Sequence, residues 1–251
     1  MTKFGTLIVT GGGRGIGAAT ALLAARTGFA VAVNYAKDGT SAERLVTGIR
    51  AEGGTAVAIQ ADVAVEADVL RLFETAEERL GPLGALVNNA GVTGGIARVE
   101  DVDAATLQRV FAVNITGAFL CAREAVRRLS TLRGGDGGSI VNVSSRAAVL
   151  GGSGDWVHYA ASKGALDTLT VGLAKEVADQ GVRVNGVAPG VIDTELHAEA
   201  GKPDRARDLA PRIPMRRPGQ PDEVAHAIMW LLASPGASYI TGTTLAVSGG
   251  G

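Results

Sequence analysis

The stretch Thr6-Leu7-Ile8-Val9-Thr10-Gly11-Gly12-Gly13-Arg14-Gly15-Ile16-Gly17 decides the fold. Its first five residues are apolar or β-branched and read as a strand, and from Ile16 the pattern is that of a helix reaching Thr27. Glycines between the two let the chain turn tightly. They bring free backbone N–H groups and the positive end of the helix dipole toward a phosphate. A glycine-rich turn alone can do no more than cap a strand. Its place between a β run and a helix makes Gly11, Arg14, Gly15, Ile16 and Gly17 candidate contacts to a pyrophosphate.

The same alternation continues along the chain. Further strands are expected at Ala30–Asn34, Thr55–Gln60, Ala85–Asn88, Ser139–Val143, Val182–Val187 and Thr243–Val247. Helical patterns fill the intervals at Ser41–Glu52, Glu66–Arg79, Ala104–Leu132, Val157–Gln180 and Pro221–Ala233. Most strand runs are continuously apolar, as in strands covered on both faces. The expectation is an α/β chain with a doubly wound, seven-stranded parallel sheet and helices on both faces, a single-domain Rossmann fold over residues 1–251. The polar, Arg- and Pro-rich segment 194–218 follows a strand end. It reads as a substrate lid, with a plain surface loop as the alternative.

Composition narrows the partners. Apolar residues make up 46% of the 251, enough for a sizeable core, and 24 basic side chains balance 25 acidic ones. That balance offers no footing for nucleic acid, so a small molecule is the expected partner. Cys121 is the single cysteine, which rules out an internal disulfide and suits a cytoplasmic location. The N-terminal apolar run meets glycines too early for a signal peptide or a membrane span. His158, His197 and His226 show no metal-ligand spacing, and no metal is expected.

The second strand should end at the adenosine ribose, through Asn34, Tyr35 and Ala36. No acid follows until Asp38, whereas Arg14 and Lys37 carry positive charge. A carboxylate there would accept from both ribose hydroxyls of NAD; its absence, with Arg14 present, favours the 2′-phosphate of NADP. NAD remains the alternative, and Lys37 could equally lie in solvent with Arg14 only packing its stem across the loop. After the third strand, Asp62 could cap a helix or accept from an adenine amino group beside the Val63 backbone.

Tyr159-Ala160-Ala161-Ser162-Lys163 falls in a helix, so the i, i+4 spacing puts phenol and ammonium on one face. A free phenol has a pKa of about 10, and a fixed cation nearby would draw it down toward useful acid–base chemistry. By itself this pattern also describes an ordinary exposed helix face.

Together with the Thr10–Gly17 loop, Asn88-Asn89-Ala90-Gly91, Asn114, Val143-Ser144-Ser145, Pro189-Gly190 and Tyr239-Ile240-Thr241-Gly242, it resembles the short-chain dehydrogenase/reductase (SDR) family. The bacterial members like 3-oxoacyl-carrier-protein reductase and glucose 1-dehydrogenase are the most similar. The resemblance spans nearly the whole chain. It implies a hydride-transferring oxidoreductase acting on a small carbonyl or secondary alcohol, and a homotetramer. It also implies that Ser145 holds the reacting oxygen, Tyr159 exchanges its proton, Lys163 lowers the Tyr159 pKa and binds ribose, and Asn114 holds a relay water. Asn89, Ala90 and Gly91 would line the cofactor cleft, and Pro189, Gly190, Ile192 and Thr194 would hold the nicotinamide carboxamide.

Ser145 precedes Tyr159 by fourteen positions, one more than in many relatives, which leaves Ser144 as a second choice. Gly13 stands where many NADP-using relatives have Ser or Thr, and the Ala246–Gly250 ending lacks a common Asp. Trp156, His158, Arg146 and the lid are expected to border the substrate. Two rival functions share the fold: a non-catalytic nucleotide-binding redox sensor, and an epimerase or dehydratase without net cofactor turnover.

Overall fold

Strands of Val, Ile, Leu and Ala pair with nothing but other parallel strands, and the resulting sheet has the order β3-β2-β1-β4-β5-β6-β7. The computed structural model describes residues 4–152 and 154–251. Its strands are β1 (Thr6–Val9), β2 (Ala30–Tyr35), β3 (Thr55–Gln60), β4 (Leu83–Asn88), β5 (Gly138–Val143), β6 (Val182–Pro189) and β7 (Thr244–Val247). All seven stand where the sequence pattern puts them, with ends shifted by no more than two residues. Ser153 and the first three residues lie outside the described residues.

Side-chain alternation divides the core in two. Leu7 and Val9 of β1, with Val31 and Val33 of β2, face α1 (Gly15–Thr27), α2 (Gly39–Ala51) and α10 (Pro221–Ala233). Ile8 and Ala32 point the other way, toward α3 (Glu66–Leu80), α5 (Ala118–Leu129) and α7 (Val157–Val177). Burial on both faces explains why the strands read as continuous apolar runs. Local signals fix the helix ends: Asp38 accepts from Ser41 N–H and Asp103 from Thr106 N–H, while Gln220 and Glu223 form a capping box at α10.

One expected helix is in fact three segments. Residues 104–129 form α4 (Ala104–Phe111), a π-helical turn Ala112–Gly117, and α5, which stops at Leu129. The widened turn carries Asn114 inward, and Gly117 presses so close to Val63 that a Cβ there would come within 2.8 Å of it. Among the described residues, Ala104–Leu129 is the one helix long and apolar enough to cross a membrane. Here Cys121, Ala125 and Leu129 are packed into the sheet's core, and Glu124 is buried beneath Arg123, Arg127 and Arg128. Short helices α6 (Ala147–Leu150), α8 (Leu196–Glu199) and α9 (Arg205–Leu209) occupy the connections above the carboxyl ends of β5 and β6.

The order of strand addition reverses between β1 and β4. β1 is followed by β2 on one side, and β4 opens the half that runs to β7. In open parallel sheets this switch point leaves a crevice above the strand ends, where a ligand binds.

Candidate active site

The glycine loop is built by close approach. Gly11 and Gly15 adopt φ of 59° and 52°, values that favour glycine. A Cβ on Gly17 would lie 2.5 Å from the Gly11 carbonyl oxygen and 2.6 Å from the Asn89 amide, so the first turn of α1 seats directly on the loop. Asn89 secures the arrangement, its side-chain amide donating to the carbonyls of Thr10 and Gly11 at 3.0 Å each. The Thr10 hydroxyl accepts from the N–H groups of Asn89 and Ala90. The result is a cleft at the N-terminus of α1, with Gly11, Arg14, Gly15 and Ile16 on one wall. Asn89, Ala90 and Gly91 continue it toward the sheet's centre. Pro189, Gly190, Ile192 and Thr194 face them from the end of β6.

The far edge differs from the sequence expectation. Asn34 is buried to 1% exposure beneath the glycine loop. Its side-chain oxygen accepts from Gly11 N–H, and its amide donates to the Ala61 and Ile59 carbonyls. Asn34 therefore ties the ends of β1, β2 and β3 together, and its side chain is committed away from any ribose. The Tyr35 ring packs on Gly39, and the Ala36 carbonyl accepts from Gln60. Asp62 does not cap α3, whose N-cap is Val65. It accepts from Ala64 N–H and from Arg109 at 2.9 Å, and Val63 packs on Gly117. Asp38, the first acid after β2, is engaged in capping α2, and its bond from Ser41 holds its carboxyl below the usual range.

Tyr159, Lys163 and Ser145 come together at the cleft's inner end. Tyr159 is buried on the inward face of α7, and Ser145 sits just past β5. The fourteen-position interval between them accommodates the turn of α6 and glycines 151, 152 and 154, all at positive φ. The structure also separates the adjacent serines. The Ser144 hydroxyl donates to the Lys163 carbonyl at 3.2 Å, whereas the Ser145 hydroxyl accepts from Ala147 N–H and faces the Tyr159 phenol across the cleft, close enough to favour its ionised form.

Burial dominates the electrostatics. It pushes the Tyr159 phenol up to about 12, with Ser145 pulling against the rise. It pushes the Lys163 ammonium down to about 8, against a weaker opposing pull from Asp167. The expected lowering of Tyr159 by Lys163 is not seen in this geometry. Lys163 Nζ donates to the Val143 carbonyl at 2.7 Å and lies over the face of the Tyr159 ring, 5.6 Å from its centroid. Asn114 is fully buried: its amide donates to the Val92 carbonyl and the Ser162 hydroxyl, and its oxygen accepts from Val92 N–H. Thus it holds the β4 exit loop against α7. A Cβ on Gly91 would stand 3.4 Å from Lys163 Nζ and 3.5 Å from Asn114 Oδ1, so Gly91 leaves the space between those two groups open.

A family model described as enoyl-(acyl carrier protein) reductase, one of the short-chain dehydrogenase models, matches residues 11–251. The chain belongs to the short-chain dehydrogenase/reductase family.

Among SDR relatives, an uncharacterized oxidoreductase of Escherichia coli, YgfF, is 51% identical over 243 residues, covering 97% of this chain and 98% of that protein. A Synechocystis 3-oxoacyl-[acyl-carrier-protein] reductase is 42% identical over 97% of this chain and 95% of its own. Glucose 1-dehydrogenase 2 of Bacillus subtilis is 39% identical over 98% and 93%. A Burkholderia cenocepacia short-chain dehydrogenase, solved in complex with NADP, superposes with a TM-score of 0.88 at 34% identity, covering 97% of this chain and 96% of that one.

Within this SDR, the residues expected around the substrate divide. Trp156 and Leu196 line the cleft, and Trp156 meets the Tyr159 ring edge-on with centroids 5.9 Å apart. His158 is turned away, with Nε2 2.8 Å from the Thr93 carbonyl oxygen. Arg146 Nε donates to the Gly251 carbonyl. Glu195 was not anticipated. It lines the cleft beside Thr194, its carboxylate near Gly15, and its only signal in the sequence is its place directly after Thr194.

Proposed function

We propose that this SDR transfers a hydride between NADP(H) and a small carbonyl or secondary alcohol, with Tyr159 exchanging the proton at the reacting oxygen. The observation that carries this reading is the meeting of the Tyr159 phenol and Ser145 hydroxyl at the closed end of a cleft whose other end is the N-terminus of α1.

The cleft fits a dinucleotide. Gly11 and Gly15 bring bare backbone to the helix N-terminus, and a Cβ at Gly17 would collapse the turn. Arg14 stands at its mouth to meet a 2′-phosphate, and Asp38 is engaged with Ser41. Asp62 and the Val63 backbone would border the adenine, and Thr194 with Ile192 the carboxamide. When bound, the nicotinamide supplies or accepts the hydride. The protein orients the substrate oxygen between Ser145 and Tyr159, and the phenol gives or takes its proton. Lys163 would pass that proton onward to a water held beside Asn114 in the space left by Gly91. The missing hydroxyl at Gly13 favours a second reading, NAD(H) use by a sugar or alcohol dehydrogenase.

Segment 194–218 closes the cleft as a lid. A homotetramer would cover two surfaces: the apolar faces of α5 and α7, where Phe119 and Val171 are exposed, and the open edge of β7. The test is a screen of carbonyls and alcohols run in parallel with NADPH/NADP and NADH/NAD. Net coenzyme oxidation or reduction supports the reading. Binding without turnover would identify a sensor, and product without net coenzyme change an epimerase or dehydratase.

A further inference from the structure

Among the described residues, the lid meets the start of the catalytic helix at Asp155 and Trp156, and there the contacts are dense. Arg205 of α9 donates to the Asp155 carboxylate at 2.7 Å, and its guanidinium lies over the Trp156 ring, 4.6 Å from the centroid. Lys202 approaches the other Asp155 oxygen at 4.0 Å. Both members of the main pair are largely enclosed, with side-chain exposures of 18% for Arg205 and 28% for Asp155. The Asp155 backbone carbonyl accepts in turn from Ala97 N–H of the loop after β4. One short segment thus fastens the lid, the β4 loop and the start of α7.

What this clasp encloses is apolar. Trp156, Tyr159 and the lid's Ala200 are buried against one another, with Ile96 and Ala147 packed around them. None of these side chains carries a charge. The charged groups that touch this cluster, Arg205 and Asp155, are paired with each other, and the Glu195 carboxylate lies along the cleft toward Gly15. The polar atoms that converge here are the Tyr159 and Ser145 hydroxyls, on the side where the reacting oxygen would sit, and the buried Trp156 indole nitrogen.

We propose that Arg205 is a positioning residue that latches the lid onto Asp155 and Trp156, completing an uncharged wall beside Tyr159 that selects carbonyls bearing a compact apolar group over polyhydroxylated ones. This rests on the hydride-transfer function proposed above. Buried against Trp156 and Leu196, which line the cleft with Ile96 and Ala200 packed behind Trp156, a ring or alkyl group gains from leaving water, whereas sugar hydroxyls would lose hydration there. Removing the guanidinium leaves the proton-transferring groups in place and loosens the wall. The loss therefore falls on KM rather than kcat.

The experiment compares the wild type with Arg205→Gln, Asp155→Asn and the charge exchange Asp155→Arg/Arg205→Asp. Cyclohexanone and benzaldehyde serve as apolar probes and an aldohexose as the polar one. The wild type should favour the apolar probes by about tenfold or more in kcat/KM. Each single variant should raise KM for them about tenfold with kcat within about threefold, and NADPH affinity should not change. The exchange should recover part of the loss. Preference for the aldohexose, an unchanged KM, or an exchange no better than the singles would overturn the proposal. Hydrogen–deuterium exchange over residues 194–218 reads the clasp without any turnover. Faster exchange in Arg205→Gln, slowed again by the charge exchange, supports the latch even if no carbonyl is reduced and the hydride-transfer reading fails. Equal rates in all four proteins refute it.

Discussion

Lys163 sits one helical turn beyond Tyr159, with its ammonium over the phenol's ring face rather than at its hydroxyl, and donates to the Val143 carbonyl at 2.7 Å. The pair links α7 to the end of β5, the strand that delivers Ser145. It also places two groups of opposite titration behaviour in one buried space. Burial holds the phenol protonated up to about 12 and weakens the ammonium's hold on its proton to about 8.

With a phenol that stays protonated across the ordinary pH range, Tyr159 is equipped to donate. Tyr159→Phe keeps the ring and its edge-on contact with Trp156 and deletes only the hydroxyl, and with it the transferable proton. Turnover of a carbonyl substrate should fall by about a thousandfold, the middle of the range for general acid–base groups. NADPH affinity, measured by fluorescence titration, should not change. Retention of wild-type turnover would remove Tyr159 from the reaction.

Lys163→Met tests the burial argument through stability. The folded-state pKa lies below the unfolded one, so between pH 8 and 10.5 the unfolded chain binds the proton more readily. This group's contribution is therefore complete above 10.5 and is lost as pH falls through about 8. The variant has no such proton to lose. It should be more stable than the wild type by about 1–2 kcal/mol below pH 8, after allowing for the Val143 carbonyl left without its donor. The difference should shrink toward pH 10. Tyr159 titrates in the opposite sense between 10 and 12, so melting temperatures are best compared from pH 6 to 10. A variant less stable than the wild type at pH 7 would contradict the desolvation argument.

The sheet was legible because its signals are local and repeated. Strands buried on both faces are largely apolar throughout, and Val31–Val33 and Ala85–Val87 are so in this chain. The expected helix Ala104–Leu132 breaks into segments because Asn114 in the π turn is held by tertiary contacts with Val92 and Ser162, which periodicity does not encode. The choice between Ser144 and Ser145 likewise needed coordinates, since it depends on which hydroxyl Lys163's carbonyl engages. Asn34 shows the limit most clearly. A polar residue at a strand end reads as a ligand contact, and only the backbone of three strands meeting above it reveals that its bonds are internal.

Arg14 is the cation best placed to distinguish the two coenzymes. Arg14→Gln removes the charge and keeps a polar side chain at the N-cap of α1. KM for NADPH should rise about tenfold or more, while KM for NADH should stay within about twofold, since only the former carries a 2′-phosphate. The salt dependence of NADPH binding should weaken in parallel. Equal effects on both coenzymes would mean that Arg14 acts on the shared pyrophosphate or on loop structure.

Asn34 separates a scaffold role from a binding role. Asn34→Ala leaves the Gly11 N–H and the Ala61 carbonyl without their side-chain partner in a region sealed from water. Unmade buried hydrogen bonds of this kind cost about 1–3 kcal/mol each, so the variant should lose about 2–4 kcal/mol of stability. In a chain of this length that corresponds to a fall of roughly 4–16 °C in melting temperature. Gly11 would lose its anchor, and coenzyme KM should rise while kcat at saturation is largely kept. A direct ribose contact would give another result, weakened coenzyme binding with an unchanged melting temperature. Calorimetry and coenzyme titration on the same variant therefore decide between the two, because only the scaffold role lowers both quantities together.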